Sequence, residues 1–217
     1  TATYATGATS GSPVGVYPIV PTLADPNGRL VNYTVTTNKG TLTISPAMLG
    51  ITANDTNRLY NTANSTFTYT PSGFVNGDAD SVLSGLPSLT TTAILSSPAG
   101  NYPITATNGT LSATNYVFAF TNGALTVNLA APVVTWTTPT NIVYGTALSS
   151  LQNNATSSVP GTAVYNPTNG TVLGAGTNTL TVVYTPTDTN YSATNLSVQL
   201  VVTPAPLSVT ASNVARV

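Results

Sequence analysis

Two stretches of this 217-residue chain are copies of one another: Ser12-Pro13-Val14-Gly15-Val16-Tyr17-Pro18-Ile19 returns as Ser97-Pro98-Ala99-Gly100-Asn101-Tyr102-Pro103-Ile104. The correspondence continues downstream. Asn32-Tyr33 matches Asn115-Tyr116, and Gly40-Thr41-Leu42-Thr43-Ile44 matches Gly123-Ala124-Leu125-Thr126-Val127, at an offset of 83 to 85 residues throughout. A unit copied along a chain buries its apolar face with the help of its neighbours, so its recurring residues read first as architecture and only then as a binding site.

A fragment of the same unit occurs once more near the end. Ala205-Pro206-Leu207-Ser208-Val209-Thr210-Ala211 repeats Ala47-Met48-Leu49-Gly50-Ile51-Thr52-Ala53 at an offset of 158, and Arg216 falls where Arg58 does. This spacing predicts four parts: residues 1–46 as the second half of a β domain, 47–131 as a complete copy, 132–204 as a differently built β unit, and 205–217 as the first strand of the next copy. About 26 residues separate the two ends of one such domain, which implies a window on a tandem array with a period of about 243 residues. A continuous polypeptide is the expected link, with strand exchange between chains as the alternative.

Composition narrows the function classes. Charged residues make up 4% of the chain, against roughly 25% in an ordinary soluble protein. The acids are Asp25, Asp55, Asp78, Asp80 and Asp188; the bases are Arg29, Lys39, Arg58 and Arg216. Four bases cannot make the surface that neutralises nucleic-acid phosphates or anionic lipid, so neither partner is expected. No apolar run approaches the ~20 residues of a membrane-spanning helix, and this stretch contains no signal peptide. With no His, Cys or Glu, the chain is not expected to build a zinc site, a Ser-His-Asp triad or a two-carboxylate glycosidase site. No enzyme, cofactor or metal is expected. A calcium site at Asp78 and Asp80 is the weaker reading of that pair, because calcium takes about six to eight oxygens and no further acid is near in sequence.

The local pattern is that of strands. Val, Ile, Thr and Tyr alternate with polar residues in short runs bounded by Gly and Pro, which predicts a mainly β protein made of tandem small β domains. Strands are expected at Val16 to Val20, Val31 to Val35, Thr41 to Ile44, Leu49 to Ala53 and onward to Leu196–Val202. The period changes only at 78 to 84, where Asp78 is expected to cap one short helix. Gly15 and Tyr17, and again Gly100 and Tyr102, have the spacing of a tyrosine corner, in which a phenol ties an arch back to the backbone. Tyr116 belongs to the repeated Asn-Tyr pair, and Trp136 reads as core filler of an immunoglobulin-like sandwich rather than a sugar platform. Lys39 is the only lysine, so a recurring Lys-Asn isopeptide staple is excluded, and a turn residue is the better reading.

In residues 49 to 127 the pattern Leu-x-Ile-Thr-Ala, Gly-Phe-Val-Asn-Gly-Asp, Ser-Pro-Ala-Gly-Asn-Tyr-Pro-Ile, Asn-Tyr and Gly-Ala-Leu-Thr-Val resembles the MBG domain of large repetitive bacterial surface proteins. Residues 132 to 203, with Val143-Tyr144-Gly145-Thr146-Ala147-Leu148 and Tyr184 to Tyr191, resemble a bacterial Ig-like repeat of the same proteins. One departure is Tyr60-Asn61, where the family commonly has Tyr-Gly. The resemblance implies Ig-like or β-grasp-like folding of the MBG-type domains with at most one short helix, beside an Ig-like β-sandwich. It also implies an exported, cell-surface, adhesin-like or fibre-forming protein with no catalytic residues to carry over.

The expected function is therefore structural: a stalk or fibre segment outside a bacterial cell, whose partners are neighbouring repeats or identical subunits. The alternative is an adhesin module binding a glycan or a surface protein through exposed Tyr and Asn. Asn-x-Ser/Thr sequons at Asn32, Asn54, Asn64, Asn108, Asn154, Asn169, Asn190 and Asn195 are candidate glycosylation sites, in a number that a chain this rich in Asn and Thr contains by chance.

Overall fold

Alternating side chains build the first three strands, β1 (Ala2–Thr6), β2 (Gly15–Leu23) and β3 (Gly40–Ile44), which pair antiparallel in the order β1-β2-β3. The computed structural model describes residues 1–216. Tyr17, Ile19 and Pro21 of β2 and Leu42 and Ile44 of β3 are half-buried, whereas Val16 and Val20 of β2 are exposed. None of the first 46 residues is buried. The strand expected at Val31 to Val35 is not formed: a single 3-10 turn occupies Leu30–Asn32, and residues 33–39 have no regular structure.

The next strands are β4 (Ala47–Ala53), β5 (Thr56–Leu59), β6 (Tyr69–Ser72), β7 (Ser88–Thr90), β8 (Gly100–Thr107), β9 (Tyr116–Thr121) and β10 (Gly123–Asn128). They form two sheets, ordered β6-β4-β9 and β5-β10-β8-β7. Central β4 runs antiparallel to β6 and parallel to β9, with Ala47 opposite Tyr116 and Thr52 opposite Thr121. Its inward residues Leu49 and Ile51 are fully buried with Leu111 and Tyr116. Ile104, Ala106, Leu125 and Val127 are the buried residues of the facing sheet. The expected helix at 78 to 84 is only a 3-10 turn, Asp80–Val82.

The first sheet is a copy of part of the second. Ser88 opposite Thr107 in β7 and β8 becomes Thr3 opposite Thr22 in β1 and β2, and the order β1-β2-β3 reproduces β7-β8-β10. Among the described residues no second layer of strands accompanies β1-β2-β3, which explains its missing core.

The remaining strands are β11 (Val134–Thr135), β12 (Ile142–Val143), β13 (Thr156–Ser157), β14 (Gly161–Asn166), β15 (Gly176–Pro186) and β16 (Thr194–Thr203). β11 pairs with β13, and the larger sheet runs β12-β16-β15-β14. Trp136, Ile142, Leu148, Leu180, Val182, Leu200 and Val202 make the core between them. Residues 204–216 are exposed and carry no regular structure, so the opening strand expected over 205–217 is not formed; Val217 lies outside the described residues. The chain is thus mainly β, in tandem small β domains, as the alternation predicts.

By contact the chain divides into two units, the first made of residues 1–58, 63–94 and 100–126, the second of 59–62, 95–99 and 127 onward. The latches, the Tyr116 turn and the Trp136 core described below each lie within one of them.

Candidate functional site

The repeated motif forms an anchor and a latch. Tyr17 donates its phenolic O–H to the Pro13 carbonyl at 2.8 Å, closing the arch over Gly15. Tyr102 stands half-buried at the same place on β8, two residues after Gly100. In the third segment Asn178 replaces the tyrosine: its Nδ2 donates to Gly174 O at 3.0 Å, again four residues upstream.

The residue at the crest of this arch makes the longer-range contact. Val14 N–H donates to Asn115 Oδ1 at 3.1 Å, and Ala47 N–H donates to the Asn115 carbonyl at 3.0 Å. The same pair of bonds occurs a second time: Ala99 N–H to Asn190 Oδ1 at 2.8 Å, and Ala130 N–H to the Asn190 carbonyl at 3.0 Å. Val14 and Ala99 are equivalent by the repeat, as are Ala47 and Ala130, and each asparagine precedes a tyrosine. Asp188 fixes the second latch, because its Oδ1 accepts both the Asn190 N–H (2.9 Å) and Nδ2 (2.8 Å), leaving Oδ1 of the amide to face Ala99.

Tyr116 follows the first latch asparagine. Its phenol accepts from Val75 N–H at 3.0 Å and donates to Asp78 Oδ2 at 2.7 Å, with Phe74 edge-on at 5.9 Å between ring centroids. The receiving turn, Val75-Asn76-Gly77-Asp78, has φ of 56° at Asn76 and 81° at Gly77, the pairing that Asn-Gly adopts most readily in a type I′ turn. Asp78 is therefore not a helix cap. Ala79 occupies the cap position and has no side-chain acceptor, while the Asp78 carboxylate accepts from the Tyr116 phenol. Among the described residues no three His, Cys, Asp or Glu side chains gather at one point.

Burial pushes the Tyr116 phenol above the ordinary tyrosine range; the Val75 N–H opposes this, and the Asp78 hydrogen bond and charge add to it. The neutral phenol's contribution to stability is then fully present below the unfolded-state value of about 10 and is lost as pH rises through the raised folded value. Unfolding measured from pH 7 to 11 should show an alkaline loss that is smaller in Tyr116→Phe; an identical slope in both proteins excludes this phenol as its source.

Trp136 is 8% exposed, donates Nε1–H to Gln152 O at 2.9 Å and meets Tyr165 edge-on at 5.4 Å. Its ring faces the core. Among the sequon asparagines, Nδ2, the atom glycosylation would modify, already donates in Asn32, Asn54, Asn64, Asn108, Asn154 and Asn190. Asn169 accepts from Asn153 through Oδ1, and Asn195 lies exposed on β16. Sequence reasoning missed Asn115 and Asn190 as latches and Arg58 as a buried clamp; the signal for the first two was an Asn-Tyr pair recurring downstream of each arch, after Ser97-Pro98 for Asn115 and after Gly174 for Asn190.

A fold of small sheets joined by one recurring latch defines a class: β modules strung in tandem. Residues 49–126 match the family model of the MBG domain, YGX type. Asn61 stands at its departure from Tyr-Gly and has φ of 59°, a left-handed conformation that asparagine tolerates better than other non-glycine residues. No curated protein matches the chain. Among solved structures, the crystal structure of Drosophila N-cadherin EC1-4 aligns with 87% of this chain at 10% identity and a TM-score of 0.27; this chain spans 58% of that one.

Proposed function

We propose that this chain is a non-catalytic, structural tandem-repeat segment of an extracellular bacterial stalk or fibre. The observation that carries the reading is the reuse of one joint: the arch residue and the linker residue each donate to the same asparagine, once at Asn115 and once at Asn190. Repeated chemistry at successive boundaries of the repeat is what a structural array of modules reuses and a single-site binding module does not need. Support for the extracellular setting comes from the matched MBG repeat, which is typical of secreted surface proteins and is not known as an enzyme. Short Pro-containing links, Ser45-Pro46-Ala47, Ala131-Pro132 and Thr203-Pro204-Ala205-Pro206, restrict bending between modules.

Electron microscopy of the native protein should show fibres or stalks with an axial repeat matching this series of modules. Isolated particles that bind a glycan array would overturn the structural reading in favour of an adhesin.

A further inference from the structure

Two segments of the chain lack regular structure, and in the complete copy their counterparts pair with each other. Residues 33–38 correspond to β9, and residues 205–211 correspond to β4. Leu49, Ile51 and Ala53 of β4 are buried to 0%, 0% and 2% exposure, whereas Leu207 and Val209 are each 88% exposed. On the opposite layer, Ile104, Ala106, Leu125 and Val127 are buried, while their counterparts Ile19, Pro21, Leu42 and Ile44 are only half-buried. We propose that sheet β1-β2-β3 with residues 33–38 is the receptor for residues 205–216 of a second copy of this chain, held in a parallel ladder with Ala205 opposite Tyr33 and Thr210 opposite Asn38.

A glycine supplies independent support. A Cβ on Gly123 would lie 2.5 Å from the Ala53 carbonyl oxygen, so only glycine lets β4 pass there. Its counterpart Gly40 has no such neighbour: a Cβ would meet nothing closer than Ile19 Cβ at 3.4 Å, an ordinary contact. The space kept at Gly40 is the space that Ala211 of an arriving strand requires.

The latch extends to the same joint. Ala175 sits at the crest position of the Gly174 arch, as Val14 and Ala99 do in theirs, and Ala205 sits where Ala47 and Ala130 do. In the complex Ala175 N–H donates to Asn32 Oδ1 and Ala205 N–H to the Asn32 carbonyl of the receiving copy. Asn213 takes the place of Asp55, whose Oδ1 accepts from Ala124 N–H at 2.7 Å, and offers an amide oxygen to Thr41 N–H.

Pro206 fits as well. Ala47 bonds toward the β9 side, so the next N–H along the strand points away from it, and a proline there removes no ladder bond to the receptor. Because receptor and donor are different surfaces, the contact is heterologous and propagates head to tail.

The test uses the full chain carrying Leu207→Asp and Val209→Asp, which disables its own tail without touching a buried residue, titrated with a labelled synthetic peptide of residues 204–216. Saturable one-to-one binding is expected, with slowed amide exchange at residues 34–38. Adding Gly40→Ala to the receptor should weaken binding by about tenfold or more, with its unfolding curve unchanged; Leu207→Asp in the peptide should do the same. The parent chain should form concentration-dependent oligomers on sedimentation and the double-Asp chain should not. Absence of saturable binding, or binding indifferent to Gly40→Ala, overturns the receptor. A parent chain that stays monomeric with 34–38 protected overturns the second copy as its occupant.

Discussion

Leu49→Ala lowers the stability of the module built on β4 by about 3 kcal/mol, while Leu207→Ala leaves the dilute chain within about 0.5 kcal/mol of the parent. The two leucines sit at the same place in one repeated heptapeptide, so intrinsic propensity cannot separate them. Packing does. Leu49 is fully buried in a cluster with Ile51, Leu111 and Tyr116, and truncation removes transfer free energy and leaves a cavity. Leu207 is 88% exposed and has no cluster to leave. Several modules in one chain make a single unfolding midpoint ambiguous, so the measurement is native-state hydrogen exchange at β4 and β9 amides at low concentration. Equal effects of the two substitutions would refute the difference in burial. At high concentration the insertion proposed above predicts that Leu207→Ala weakens oligomer formation.

That contrast marks how far alternation can be read from sequence. Where strands pair within one module, as for β2 with β3 or β15 with β16, the period of two located strands well. At 31–35 and 205–211 the same pattern predicted strands that are not formed, because a strand is completed by a neighbouring backbone and periodicity is silent about who supplies it. Asp78 shows the same limit for side chains. An aspartate before a short apolar run suits a helix cap, but a phenol 38 residues later takes its carboxylate. Asparagine is too abundant here for Asn115 and Asn190 to stand out singly; only their position relative to the arch distinguishes them. Tyr17 was legible because its partner, Pro13, is four residues away.

Arg58→Ala costs about 3 kcal/mol and loosens the segments around Asn64 and Ile94 first. Arg58 is 7% exposed, and its guanidinium reaches two loops: Nε donates to Asn64 Oδ1 and Nη2 to the Ile94 carbonyl, each at 2.6 Å. Asn64 then donates Nδ2 to the Ala93 carbonyl at 2.8 Å, so one cation organises a network spanning both loops. Truncation removes two charge-assisted donors and leaves their acceptors in a part-buried site, where an oxygen deprived of its donor costs more than an exposed one. Lysine is a poor substitute: a single ammonium lacks the rigid fork that places Nε and Nη2 on separate acceptors, so Arg58→Lys should recover less than half of the loss. Hydrogen exchange in the two loops, together with equilibrium unfolding, measures both effects, and a change below about 1 kcal/mol for Arg58→Ala would remove the clamp from the account. Arg216 gives the internal control. It occupies the equivalent place in the exposed tail, so Arg216→Ala should be silent in the dilute chain and should weaken association only where copies insert into one another.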